Sequence, residues 1–130
     1  MKFISTDDAP AAIGSYSQAV VAGGLVYTSG QIGLLPNGEL ADESVEKQMH
    51  QVMKNLYYVL EAAGSEFTDV IKTNIYLEDM RDFDAMNEIY AYHFKDHKPA
   101  RCTVAVRSLP KGVKIEIDCI AIANAHVDFG

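Results

Sequence analysis

Apolar residues in this chain fall into two helical stripes and several alternating runs, and their order predicts the architecture. Val45, Met49, Val52, Leu56, Val59 and Ala63 recur every three or four positions, the spacing of one buried helix face. Asp42 or Ser44 ahead of that stripe can cap it and Gly64 behind it can take the left-handed conformation that ends a helix, which predicts a helix over residues 43–63. A second stripe, Met80, Phe83, Met86, Tyr90 and Phe94, starts behind Asp79 or Asp82 and must stop before Pro99. Between the stripes, residues 70–77 alternate Ile71, Thr73, Ile75 and Leu77 against Val70, Lys72, Asn74 and Tyr76, the period of a strand. Ahead of them come a short strand at 2–5 and two strands at 17–22 and 25–29. Gly23-Gly24 joins that pair, a dipeptide that tolerates the positive φ of a tight hairpin.

Residues 99–124 read as a closing hairpin around Leu109-Pro110-Lys111-Gly112. Cys102, Val104 and Val106 alternate with Arg101, Thr103 and Ala105, while Val113, Ile115 and Ile117 alternate with Lys114, Glu116 and Asp118. If the apolar sets share one face, Arg101 and Thr103 stand beside Glu116 and Asp118 on the other. The pattern alone gives this guanidinium and carboxylate two readings of equal weight: a cross-strand salt bridge, or a pair that works on a ligand.

An opening hairpin, helix, strand, helix and closing hairpin make an α+β chain. Right-handed crossovers should put both helices on one face of a single mixed sheet. The bare face would then carry Arg101, Thr103, Glu116, Ile120 and Ile122, with Val70 and Tyr76, a mixture of charged and apolar groups that another copy of the chain would cover.

Composition narrows what such a surface meets. At 130 residues and 48% hydrophobic, the chain suits one domain, residues 1–130, with its own core. A formal charge of −7 and scattered basic residues argue against nucleic acid. No run approaches the roughly 20 apolar residues of a membrane span, so a soluble, cytoplasmic protein is expected. The assumed hairpin makes Cys102 and Cys119 diagonal neighbours about 7–8 Å apart, beyond disulfide reach, so two buried, reduced thiols are expected. His93 and His97 are spaced like a two-histidine metal pair, but HFKDH lacks the glutamate of a zinc protease, and no metal is expected there. Neither glycine pair forms a phosphate-cradling loop, so no cofactor is expected.

Ser29 and Gly30 lie where a strand meets a loop, and a hydroxyl and backbone amides there either line a small pocket or simply begin the loop. Tyr16, beside a glycine turn, either closes such a pocket or covers a core edge, and the bland alternative is the commoner one. Phe83 and Asn87, four apart, share one side of the second helix, where Phe83 is equally suited to the core.

The segments PAAIGSYSQAV (10–20), YTSGQIG (27–33), DVIKTNIYLEDM (69–80), Phe83 to Asn87, PAR (99–101) and LPKGVKIEIDCIAIA (109–123) together resemble the RidA, or YjgF, family. The resemblance spans nearly the whole chain. It implies a chorismate-mutase-like fold assembled as a homotrimer, with sheets inward, helices outward and a cleft at each of three subunit boundaries. It also implies hydrolysis of reactive 2-imino acids, such as 2-iminobutanoate and 2-iminopropanoate, to 2-keto acids and ammonia. Arg101 would grip the substrate carboxylate in a bidentate fork and Glu116 would orient a water. Tyr16, Ser29, Gly30, Phe83, Asn87 and Thr103 would contact substrate. One departure stands out: many relatives have cysteine two positions after the arginine, where this chain has Thr103, and its thiol sits at Cys102 instead. Covalent thiol chemistry is therefore not expected. The competing reading is a trimeric module that binds a keto acid in the same cleft without turnover.

Overall fold

Local sequence signals place most of the elements where the pattern expects them. In the computed structural model, which describes residues 1–123, these are β1 (Lys2–Ile4), β2 (Ala19–Ala22), β3 (Leu25–Thr28), β4 (Gln31–Ile32), α1 (Val45–Ala62), β5 (Val70–Leu77), α2 (Phe83–Phe94), β6 (Ala100–Ala105) and β7 (Ile115–Ile122). Asn124, the expected end of the last strand, lies outside the described residues. Ser44 caps α1 by accepting from the Lys47 amide at 3.2 Å. Gly23 and Gly24 take φ of +59° and +79°, as a two-residue hairpin with matching twist requires. Asp79 caps a short 3₁₀ turn, and α2 starts directly behind it.

One sheet holds all the strands, in the order β1-β2-β3-β7-β5-β6, with β4 paired to the end of β7 beyond β3. Only β5 and β6 run parallel. The expected closing hairpin is therefore overturned: β6 and β7 flank β5 on opposite sides and never pair with each other. The connection through α2 returns the chain parallel to β5 on its free edge, as a βαβ unit does, and residues 106–114 then carry it back across the end of β5.

That order also corrects the faces. Thr73 lies opposite Cys119 and Arg101, and Ile75 opposite Ile117 and Thr103, so Arg101, Thr103 and Ala105 point to the helix-covered side with the core. Val70, expected on the bare face, is buried. Tyr76, Glu116, Ile120 and Ile122 do occupy the open face, where Cys102 and Val104 join them. The apolar alternation of β6 fooled the parity argument because β6 is an edge strand, whose Cys102 and Val104 belong to the open face. Consequently Cys102 is exposed and Cys119 buried on the other face, both as free thiols, rather than neighbours on one face.

Between sheet and helices, Met49, Val52, Met53, Leu56, Ile75, Met86 and Ile117 form a core that excludes solvent almost completely. Three buried amide side chains tie loops to it. Gln18 donates to the Pro10 carbonyl at 2.8 Å and accepts from the Thr6 amide at 2.6 Å. Gln48 accepts from Lys114 N at 2.8 Å. Asn55, inside α1, donates to the carbonyls of Ile32 and Leu34 at 3.1 and 2.9 Å, holding the segment after β4.

Candidate functional site

The side chains singled out from sequence gather into two groups, one on each side of the sheet. The first is built on α2 and the edge strand β6. Arg101 extends from β6 over α2, its guanidinium carbon 5.0 Å from the Tyr90 ring and 5.5 Å from the Phe83 ring. Its Nη1 donates to Asn87 Oδ1 at 2.6 Å. A cation flanked by ring faces and steered by a neutral amide is oriented without being neutralised, and no carboxylate pairs with it among the described residues. Tyr90 is itself fixed by a hydrogen bond between its hydroxyl and Thr73 at 2.9 Å. Burial pushes the Tyr90 phenol pKa up. A cavity of about 390 Å³ opens beside Arg101, bounded by Asn87, Tyr90 and Pro99. Thr103, two residues on and on the same face, carries the one buried side-chain oxygen among the described residues that has no hydrogen-bond partner.

The second group lies on the open face. Glu116 borders a cavity of about 430 Å³ together with Tyr16, Gly30 and Ile32. Gly30 has a steric reason to be glycine: a Cβ there would stand 2.8 Å from the Glu116 carboxyl carbon. Burial first, and the neighbouring Asp118 charge second, raise the Glu116 pKa above the ordinary glutamate value. Asp118 in turn accepts from Asn74 Nδ2 at 2.7 Å and from the Tyr76 hydroxyl. Ser29 donates its hydroxyl to the Ser17 carbonyl, so it braces the loop that carries Tyr16 rather than offering that proton to a ligand. Tyr16, more than half exposed, lines both the Glu116 cavity and a neighbouring groove of about 580 Å³ that Ser29 also borders.

Within one chain the two groups do not meet. Arg101 faces the helices at one edge and Glu116 the open side, with β5 between their strands, so the expectation that both project from neighbouring strands to one side is overturned. The salt-bridge reading falls with it. Sequence reasoning missed Tyr90 as the floor under Arg101, since its place in an apolar stripe marks it as core. It also missed Asp118 as the charge that tunes Glu116 and the buried Gln18 that anchors the Tyr16 loop; a glutamine beside an alternating run was the only signal for the latter. His93 and His97 form no pair: His97 donates Nε2–H to the Val70 carbonyl at 2.7 Å. No helix is long and apolar enough to cross a membrane among the described residues.

The family described as Endoribonuclease L-PSP matches residues 6–123. The chain is 49% identical over 130 residues to the 2-iminobutanoate/2-iminopropanoate deaminase of Rattus norvegicus, covering 99% of this chain and 95% of that protein. It is 50% identical over 119 residues to Reactive Intermediate Deaminase A, chloroplastic, of Arabidopsis thaliana, covering 91% of this chain and 64% of that protein. Among solved structures, E. coli TdcF with bound serine superposes with a TM-score of 0.90 at 40% identity, over 95% of this chain and all of that one.

Proposed function

Since this chain belongs to the Endoribonuclease L-PSP family, which includes the RidA proteins, we propose that it hydrolyses 2-imino acids such as 2-iminobutanoate and 2-iminopropanoate to 2-keto acids and ammonia. The observation that supports the reading is a guanidinium steered by Asn87 on one side of the sheet and a half-buried carboxylate with a raised pKa on the other, the two kinds of group such a hydrolysis would use. They become one site where the Arg101 edge of one copy meets the Glu116 face of another, in a homotrimer. The open face supports such an assembly: Phe3, Tyr27, Val104 and Ile122 are each more than 40% exposed there, an apolar patch out of place against water.

In that cleft Arg101 takes the substrate carboxylate in two parallel charge-assisted hydrogen bonds, with Asn87, Phe83 and Tyr90 keeping the fork in place. The Thr103 hydroxyl, otherwise without a partner, adds a donor to the same carboxylate. Glu116 accepts a proton from a water positioned beside the C=N carbon, and the oxygen adds to that carbon. The carbinolamine formed from the protonated imine then collapses: the nitrogen takes up the proton held by Glu116, the hydroxyl gives its own proton back to that carboxylate, and the C–N bond breaks so that ammonia leaves and the C–O bond becomes the keto group. Half-burial suits Glu116 to this exchange, because a carboxylate with a raised pKa is a stronger base. Tyr16 and the backbone at Ser29 and Gly30 close the cleft from the Glu116 side.

A coupled assay tests the activity. A threonine dehydratase generates 2-iminobutanoate, semicarbazide traps what remains, and wild type must speed loss of the trappable imine while Arg101→Ala and Glu116→Ala do not. No acceleration by wild type would leave the keto-acid-binding module as the better reading. The ribonuclease in the family's description gains no support from a net charge of −7, which disfavours a phosphate backbone.

A further inference from the structure

On the outside of the molecule, away from the open face of the sheet, α1 and α2 bring two histidines together that the hydrolysis does not use. His50 Nδ1 and His93 Nε2 share a hydrogen bond of 3.0 Å, one nitrogen donating and the other accepting, and their ring centroids are 5.1 Å apart at an interplanar angle of 63°. Tyr92 packs edge-on against both rings, at 5.9 and 5.1 Å, and Phe67 stands 6.5 Å from His93, so the pair sits in an aromatic collar. A cavity of about 410 Å³ opens beside it, with Met53, Lys54 and Tyr57 on its wall.

We propose that His50 and His93 chelate a divalent late transition-metal ion that fastens α1 to α2. The spacing is the argument. With metal–nitrogen bonds of about 2.0–2.1 Å, donors 3.0 Å apart subtend an angle of about 95° at the ion. That is near the right angle between adjacent ligands in square-planar or octahedral complexes, and well short of tetrahedral, so Cu²⁺ and Ni²⁺ fit better than Zn²⁺. His50 is exposed, so its ring is free to move out of that hydrogen bond, and in the complex the metal ion replaces the proton the two nitrogens share. Among the described residues no third histidine, cysteine, aspartate or glutamate joins the pair, so water completes the coordination and the ion exchanges freely. Lys54 is the one cation on the cavity wall, and its exposed side chain can extend into solvent.

The test is calorimetric titration of the chelator-stripped wild-type protein with CuCl₂, NiCl₂ or ZnCl₂, each alone. The expected result is one ion per chain, bound in the order Cu²⁺ over Ni²⁺ over Zn²⁺, with Cu²⁺ affinity falling about tenfold or more in His50→Ala. A rise in thermal midpoint with Ni²⁺ should accompany binding in wild type and vanish in His50→Ala. Because His50 is exposed, that variant keeps its fold, which circular dichroism checks. His97 and the rest of the chain are common to both proteins and supply the background. Equal binding by wild type and His50→Ala, or no binding by wild type, overturns the proposal.

Discussion

At the scale of single residues, the site is a matter of two groups whose surroundings decide what they can do. In the proposed hydrolysis Glu116 must be ionised to take a proton from water, and burial with Asp118 raises its pKa, so activity should disappear as pH falls through that raised value. The acid limb of the kcat/KM profile should therefore lie above the ordinary glutamate value of 4.5, and an acid limb at or below it would refute the assignment. Glu116→Gln, nearly isosteric, should lose on the order of 10²-fold or more in kcat. Gly30→Ala tests the same carboxylate from its neighbour: a Cβ with no room must push the Glu116 side chain aside. Its kcat should drop at least about tenfold, while the thermal midpoint changes far less. Arg101→Lys should fail to restore substrate affinity, since a point charge neither forks nor stacks on Tyr90. Arg101 and Glu116 stood out by residue type, but the pattern left a salt bridge and a ligand-directed pair equally open, and only the strand order removed the salt bridge. Tyr90 did not stand out, because a ring facing a cation and a ring facing a core occupy the same position in a helical stripe.

At the scale of elements, α2 is the device that aims Arg101. Asn87 and Tyr90 lie three apart on it, one holding Nη1 and the other underlying the guanidinium. Asn87→Ala should release the fork, raising KM severalfold with little change in kcat, and a change confined to kcat would contradict this role. Tyr90→Phe separates stacking from hydrogen bonding: the ring stays under Arg101 while the buried Thr73 hydroxyl loses its partner. Chemical denaturation should show a loss of about 1–3 kcal/mol, with KM nearly unchanged. The helices themselves were readable, since period and caps are local; α1 was expected over 43–63 and spans Val45–Ala62. β4 was missed because a two-residue strand has no period of its own, and only its ladder to β7, with Asn55 donating to the carbonyl of Ile32, defines it.

For the whole molecule, the decisive fact is that Arg101 and Glu116, the two halves of the proposed site, point to opposite sides of one sheet. If Arg101 and Glu116 act together only across a boundary between copies, then Arg101→Ala and Glu116→Ala, each inactive alone, should complement each other when co-expressed. With random assembly about one cleft in four pairs an intact arginine with an intact glutamate, so roughly a quarter of wild-type activity should return. No recovery would mean that both residues must come from one chain. A solution mass near three times 14.3 kDa should accompany it. By itself the sequence determined the local elements and the acidic balance, because periodicity, caps and composition need only a few neighbours, and through its family resemblance it nominated the groups proposed to react. Only the tertiary structure decided which strands are neighbours and which way the β6 side chains face. Strand order is set by long-range pairing, here by a crossover that inserts β5 between β6 and β7, and an edge strand with apolar residues on its open face carries no local mark of which side is inside.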